Sequence, residues 1–180
     1  MRQNYADWLY RQDVRLFFWF NHRLNFSALD RVLGMLTHLG GAFFTILMTF
    51  SVALFAPESW SRAGGGGQAL ISLTVSHLLA VGLKRKFKRI RPYLALEQVN
   101  TAKTMLKDPS FPSGHTTAIF SIITPFLFMT GWFSLVLLVL AILVGMSRVY
   151  LGHHYPSDCL VGSFLGTVSA LLVVMMTGWW

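Results

Sequence analysis

The sequence predicts an all-α, polytopic membrane helical bundle: five transmembrane helices preceded by an N-terminal amphipathic interfacial helix, forming one domain over 1–180. The first observation is composition, with 54% hydrophobic and only 12% charged residues in 180, above the apolar share of ordinary soluble domains. The second is distribution, because the charged residues leave four long stretches essentially empty. The third is periodicity: these uninterrupted apolar runs lack the alternation of a membrane β-barrel, the only other spanning design.

Residues 1–30 form the interfacial segment. Arg11, Asp13, Arg15, His22 and Arg23 punctuate Trp8, Leu9, Leu16, Phe17, Phe18, Trp19 and Phe20, which suits a helix lying in the headgroup region rather than crossing it. No small-residue cleavage site follows a compact apolar core, so a signal peptide is not expected. The first span is expected from Val32 to Ala56. The second runs from Gln68 to Leu83, short of the ~20 residues that cross a bilayer but extended by the snorkelling stem of Lys84. Between them, 57–67 ends in four glycines, expected as a flexible loop; the Lys-Ser/Thr ending of a nucleotide-binding loop is missing. The long gap from Thr116 to Ser147 accommodates a third span to Trp132 and a fourth from Phe133, joined as a tight hairpin at Gly131. Pro125 is expected to kink the third, since it removes a backbone donor. The fifth runs from Cys159 to Trp180. The lone Cys159 excludes an intrachain disulfide.

Nearly all the polar chemistry lies in three short segments: Lys84 to Pro92, Pro112 to His115, and Ser147 to Asp158. With five spans, helix parity puts all three on one side of the membrane, where they can converge. Lys84 and Arg91 lie seven apart, two turns of a continued helix that Pro92 would end, so both can face a multiply charged phosphate. Arg85, Lys86, Lys88 and Arg89 read instead as a basic collar against anionic lipid. Pro112-Ser113-Gly114-His115 begins a helix: free N–H groups, the Ser113 hydroxyl and the helix dipole form an anion seat, and Gly114 lets a ligand come close. His115 can then serve as general acid; the bland reading makes Ser113 a simple cap and His115 a neighbour's partner. His154 and Asp158 are four apart around Pro156, so Asp158 is expected to hold one ring nitrogen of His154 and leave the other free to attack phosphorus. Alternatively Asp158 only complements the helix dipole. Arg148 follows a long apolar run, where a cation needs a functional partner.

Six histidines invite a metal reading, but converging cations would repel a divalent ion and the remaining zinc-type ligands are missing. Neither a metal nor another cofactor is expected. His38 and His77 lie inside the first two predicted spans, where interhelical hydrogen bonding would explain them. Nucleic acid is not an expected partner of the +8 net charge, because that charge is collared at a membrane edge.

Lys84-x6-Arg91-Pro92, Pro112-Ser113-Gly114-His115 and Ser147-Arg148-x5-His154-x3-Asp158 together resemble the three-part signature of the type 2 phosphatidic acid phosphatase superfamily, with every signature position filled. The resemblance implies a metal-independent lipid phosphatase with His154 as nucleophile, Asp158 as its orienter and His115 protonating the leaving group. Lys84, Arg91, Ser113, Gly114 and Arg148 would hold phosphate oxygens. It also implies a membrane lipid phosphate or diphosphate as substrate, such as undecaprenyl diphosphate or phosphatidylglycerol phosphate, and a site at the extracytoplasmic face. The positive-inside rule alone would put the motif side in the cytoplasm, but several of its cations are claimed by the site. Three alternatives use the same residues: a phosphotransferase to an acceptor lipid, a vanadate-dependent haloperoxidase, and a non-catalytic lipid-phosphate binder.

Overall fold

The computed structural model describes residues 2–23, 27–55, 65–101, 105–128 and 131–178, and the described chain is helical throughout, without strands. Helix α1 is Arg2–Arg23, α2 is Ser27–Leu36, and a 3₁₀ turn Thr37–Gly40 leads into α3, Ala42–Phe55. Then follow α4, Gly65–Phe87; the short α5, Pro92–Ala95; α6, Gly114–Ile123, continued as a 3₁₀ turn over Thr124–Phe128; α7, Trp132–Tyr150; and α8, Pro156–Thr177.

Three of these helices are long and apolar enough to cross a bilayer: α4 with its extension to Ala95, α7 and α8. This is a multi-pass membrane protein. The first predicted span is not one straight helix, because α2 and α3 meet at 55° across the 3₁₀ turn and qualify as a span only together. The third predicted span is a shorter apolar helix, Gly114–Phe128. It tightens to 3₁₀ at Thr124, directly before Pro125, which has no N–H for the ladder. The expected glycine loop is partly helix: Gly65, Gly66 and Gly67 open α4, and a Cβ on Gly66 would lie 2.7 Å from the Ala53 backbone of α3. The remainder of that loop, 57–64, lies outside the described residues.

The bundle is built around α6, flanked by α4, α7 and α8. Beside a buried apolar cluster that includes Leu73, Ile119, Ile122 and Val144, small polar side chains lie inside and many large apolar ones outside. Ser72, Ser76, Thr116, Thr117, Ser121 and Ser169 are buried, while Phe43, Phe50, Leu78, Leu160 and Phe164 face outward, as expected where the solvent is hydrocarbon and small polar residues mediate helix contact. The closest approach is between α8 and α6: a Cβ at Gly162 would fall 2.8 Å from the Ser113 carbonyl oxygen and one at Gly166 2.4 Å from that of Thr117. Only a glycine fits either place. This registers the start of α8, with Asp158, against the start of α6, with Ser113 and His115, and the Ser113 N–H donates to the Asp158 carbonyl at 3.0 Å.

Candidate active site

Helix α4 does not continue to Arg91. It ends at Phe87, Lys88 takes a left-handed φ of 45°, and the chain runs extended to Arg91, with Pro92 starting α5 at its N1 position rather than ending a helix. The two cations meet all the same, because both grip Asp108. Lys84 Nζ lies 2.6 Å from one carboxylate oxygen and Arg91 Nη2 2.8 Å from the other. Burial pushes the Asp108 carboxyl up, but Lys84 and Arg91 outweigh it and hold it at a pKa of about 2. Arg91 is anchored further by donating from Nε to the Asp108 carbonyl at 2.7 Å and from Nη1 to the His153 carbonyl at 2.9 Å.

Ser113 caps α6: its Oγ accepts from the Thr116 N–H at 3.5 Å and from the Thr116 hydroxyl at 3.0 Å. Both the capping and the anion-seat readings therefore share one geometry, with the helix N-terminus at the motif end of the bundle. A Cβ added at Gly114 would meet nothing within 4 Å, so this turn is open to a ligand. His115 is half-buried on the first turn of α6. The 3₁₀ break delivers Gly40 and Gly41 against it: a Cβ on Gly40 would overlap the His115 carbonyl at 2.7 Å, and one on Gly41 would stand 3.7 Å from His115 Nε2.

Arg148, at the end of α7, is buried to 2% exposure. Its Nη1 donates to the Thr37 hydroxyl at 2.7 Å, while Nε and Nη2 are buried with no hydrogen-bond partner among the described residues. An unpaired buried donor costs roughly 1–3 kcal/mol. Two on one guanidinium make a planar pair of donors whose geometry matches two oxygens of one anion.

His154 is almost fully buried, one residue ahead of the Tyr155 cap of α8. Its Nδ1 lies 2.7 Å from the Ser110 carbonyl, which can only accept, so Nδ1 carries the proton and Nε2 keeps its lone pair. Arg91 Nη1 approaches that Nε2 to 3.2 Å. The expected hydrogen bond from Asp158 is absent, with Oδ2 at 3.7 Å from Nδ1. The reason is local: His154 precedes the helix, so the i,i+4 face does not extend to it, and Asp158 is engaged elsewhere. Its Oδ2 accepts from the Tyr155 N–H at 2.9 Å and its Oδ1 from Arg89 at 2.7 Å. Ser110 is the orienter the sequence did not reveal. Burial, then Arg148, Arg91, Lys84 and His115, push the His154 pKa well below the ordinary imidazole value, so the ring is neutral near pH 7.

Thus the helix ends and loops that carry Lys84, Arg91, Ser113, Gly114, His115, Arg148, His154 and Asp158 meet at one end of the bundle. Arg89 departs from the collar reading: it bonds Asp13 and Asp158 and stacks on Tyr155 at 3.9 Å. His38 and His77 depart from the interhelical reading, since both are exposed, His38 on the 3₁₀ turn and His77 along α4. Asp13, Asp108, Ser110 and Thr37 were unforeseen; only Asp108, an acid in the loop between two cationic motifs, carried a signal in sequence. Among the described residues no three His, Cys, Asp or Glu side chains cluster as metal ligands.

The profile described as the PAP2 superfamily matches residues 65–180. The bacitracin transport permease protein BcrC of Bacillus licheniformis is 41% identical over 108 residues, 58% of this chain and 52% of that protein. Phosphatidylglycerophosphatase B of Bacillus subtilis is 31% identical over 159 residues, 81% of this chain and 73% of its own. The crystal structure of Aquifex aeolicus LpxE superposes with a TM-score of 0.80 at 26% identity, covering 90% of this chain and 94% of that one. The chain spans about half the length of several of the curated relatives it matches.

Proposed function

This chain belongs to the PAP2 superfamily, and on that premise we propose that it is a metal-independent phosphatase of membrane lipid phosphates or diphosphates. The observation that carries the reading is the buried pair His154 and Arg148: an imidazole fixed with Nε2 available, beside a guanidinium with two unpartnered donors. The lipid head enters from the bilayer and its phosphoryl oxygens take the Arg148, Arg91 and Lys84 donors and the N–H groups at the start of α6. His154 Nε2 forms a bond to phosphorus as the bond to the bridging lipid oxygen breaks, and His115 gives that oxygen its proton. Neutral His115 then takes a proton from water, which attacks phosphorus, releasing phosphate and restoring His154.

In this reading five segments cross the bilayer, with α2–α3 as one bent crossing and Gly114–Phe128 as the short one, while α1 lies in the interface. Its exposed Trp8, Leu9, Leu16 and Trp19, alternating with Arg11 and Arg15, support that placement against an anionic bilayer. Phosphatidylglycerol phosphate and undecaprenyl diphosphate are the substrates to compare first. The decisive experiment is phosphate release from both by the purified protein in excess EDTA. Turnover unaffected by EDTA is the expected result, and EDTA-sensitive turnover refutes metal independence. Phosphate appearing on an acceptor lipid instead of in water identifies a transferase.

We place the site at the extracytoplasmic face. Because Cys159 is buried and the sequence has no other cysteine, Glu97→Cys puts a single exposed thiol on the motif side. Labelling by an impermeant maleimide in intact cells is expected; labelling only after permeabilisation reverses the orientation.

Asp108 competes for the phosphate seat, since its carboxylate spans the two cations that a phosphate would use. With half of its side chain exposed it is free to leave. Asp108→Asn is expected to tighten competitive inhibition by inorganic phosphate by about 10-fold, because less of the protein is held in the occluded form. Weaker inhibition would mean that Asp108 positions the cations instead.

A further inference from the structure

One face of α1 enters the site from outside the segment that the family profile matches. Asp13, Phe17 and Asn21 recur every four residues and are the buried positions of the described helix. Phe17 is fully buried in a cluster with Val149, Tyr155 and Cys159. Asn21 Nδ2 donates to the Tyr150 carbonyl at 2.8 Å and the Asn100 carbonyl at 2.7 Å. Asp13 accepts from the Ser157 N–H at 2.9 Å and hydrogen-bonds the Ser157 hydroxyl and Arg89 Nη2. The face is therefore bonded to both ends, Tyr150 and Ser157, of the stretch that carries His154.

We infer that Asp13 and Arg89 are positioning residues, a clamp through which α1 sets Asp158 beside the His154 ring; this rests on the reading of His154 as nucleophile. Asp158 is completely buried, and a carboxylate in that position needs a charged partner. Arg89 supplies it through Nη1, which also donates to Ser157 Oγ at 2.8 Å. The guanidinium cannot swing away, because its face lies 3.9 Å over the Tyr155 ring and its second nitrogen is held 2.7 Å from Asp13. Asp13 acts a second time as a cap delivered by another helix, taking the Ser157 N–H that the start of α8 leaves unpaired. Asp158 thus stands 3.7 Å from Nδ1 without taking its proton from Ser110. Its charge is placed where the ring turns positive as Nε2 attacks. The clamp adds no covalent step; it fixes the field in which the proposed bond exchange at His154 occurs.

The test compares the wild-type chain with Arg89→Gln, Arg89→Lys, Asp13→Asn and the Asp13→Asn/Arg89→Gln pair. Arg89→Gln is expected to lower kcat by about 10- to 100-fold, the size typical of losing a partner one step removed from a reacting group. KM for the lipid and the inhibition constant of inorganic phosphate should stay within about threefold of wild type, the pattern of a loss confined to the transition state. Arg89→Lys should recover part of the loss, and the double variant should be no worse than Arg89→Gln, because the two residues act as one chain. Unchanged kcat, additive losses, or a parallel loss of phosphate binding would overturn the clamp. A second readout does not need turnover: the ¹⁵N signal of the His154 ring, assigned by its disappearance in His154→Ala, should shift in Arg89→Gln and in Arg89→Lys. A wild type that binds inorganic phosphate yet hydrolyses no lipid defeats the reading of function, and an unmoved ring signal in both variants defeats the clamp.

Discussion

His154→Ala is expected to lower phosphate release by at least about 10⁴-fold, or ~5.5 kcal/mol of transition-state stabilisation, with inorganic phosphate still bound. The size follows from the role. His154 has one ring nitrogen fixed by the Ser110 carbonyl and the other held beside Arg91, so its removal takes away the group read as forming the covalent intermediate, and only binding and electrostatic assistance remain. Wild-type protein quenched in alkali during turnover should carry an acid-labile phosphoryl group that His154→Ala lacks. Residual activity within about tenfold of wild type would reject His154 as nucleophile. The lowered pKa of His154 adds a direction in pH. The attacking form is the neutral ring, and a depressed pKa keeps it neutral below the ordinary value of about 6.5. An ¹⁵N titration of the ligand-free protein should place its midpoint on the acid side of that value. The folded state then binds fewer protons than the unfolded one between the two pKa values, so this group's contribution to stability is complete above about pH 6.5 and is lost as the pH falls below it.

His115→Asn is the second large effect, with an expected loss of about 10²- to 10⁴-fold on a lipid phosphate, the range for removing a general acid. The loss should depend on the leaving group. An alkyl oxygen is expelled poorly unless protonated, whereas a nitrophenolate leaves as the anion, so a 4-nitrophenyl phosphate analogue should lose far less, within about tenfold of wild type. Equal losses on both substrates would show that His115 binds the phosphate rather than protonating the product. The Gly40 and Gly41 backbone against His115 makes Gly40→Ala a poor control, since its Cβ would collide with the His115 carbonyl. Asparagine at 115 keeps a hydrogen-bonding group in a smaller side chain but has no proton to transfer near neutral pH.

Much of the fold was legible because hydrocarbon solvent imposes a simple demand: a crossing segment is apolar and has its backbone hydrogen bonds satisfied within the protein, most simply as one long helix. That demand marks α4, α7 and α8 by composition alone. It says nothing of where a helix bends. The α2–α3 break and the early end of α4 at Phe87 leave the local composition unremarkable, yet the first brings Thr37 to Arg148 and the second turns Arg89 inward and Arg91 onto His154. Asp158 stands 3.7 Å from His154 Nδ1 but does not make the hydrogen bond its spacing suggested, because spacing specifies a face only within one continuous helix, and His154 lies before the cap.

By itself the sequence determined the all-helical class, the apolar surroundings of the longest helices and the chemical types at the candidate site, since hydropathy, charge and motif spacing are properties of the chain. Only the tertiary structure decided which atoms meet: Ser110 rather than Asp158 on Nδ1, Asp108 across Lys84 and Arg91, and α1 bonded through Asp13 and Arg89 to Asp158. Side-chain hydrogen bonds act over about 3 Å, and between residues dozens of positions apart that distance is set by helix packing such as the Gly162 and Gly166 contact with α6, which no local pattern encodes.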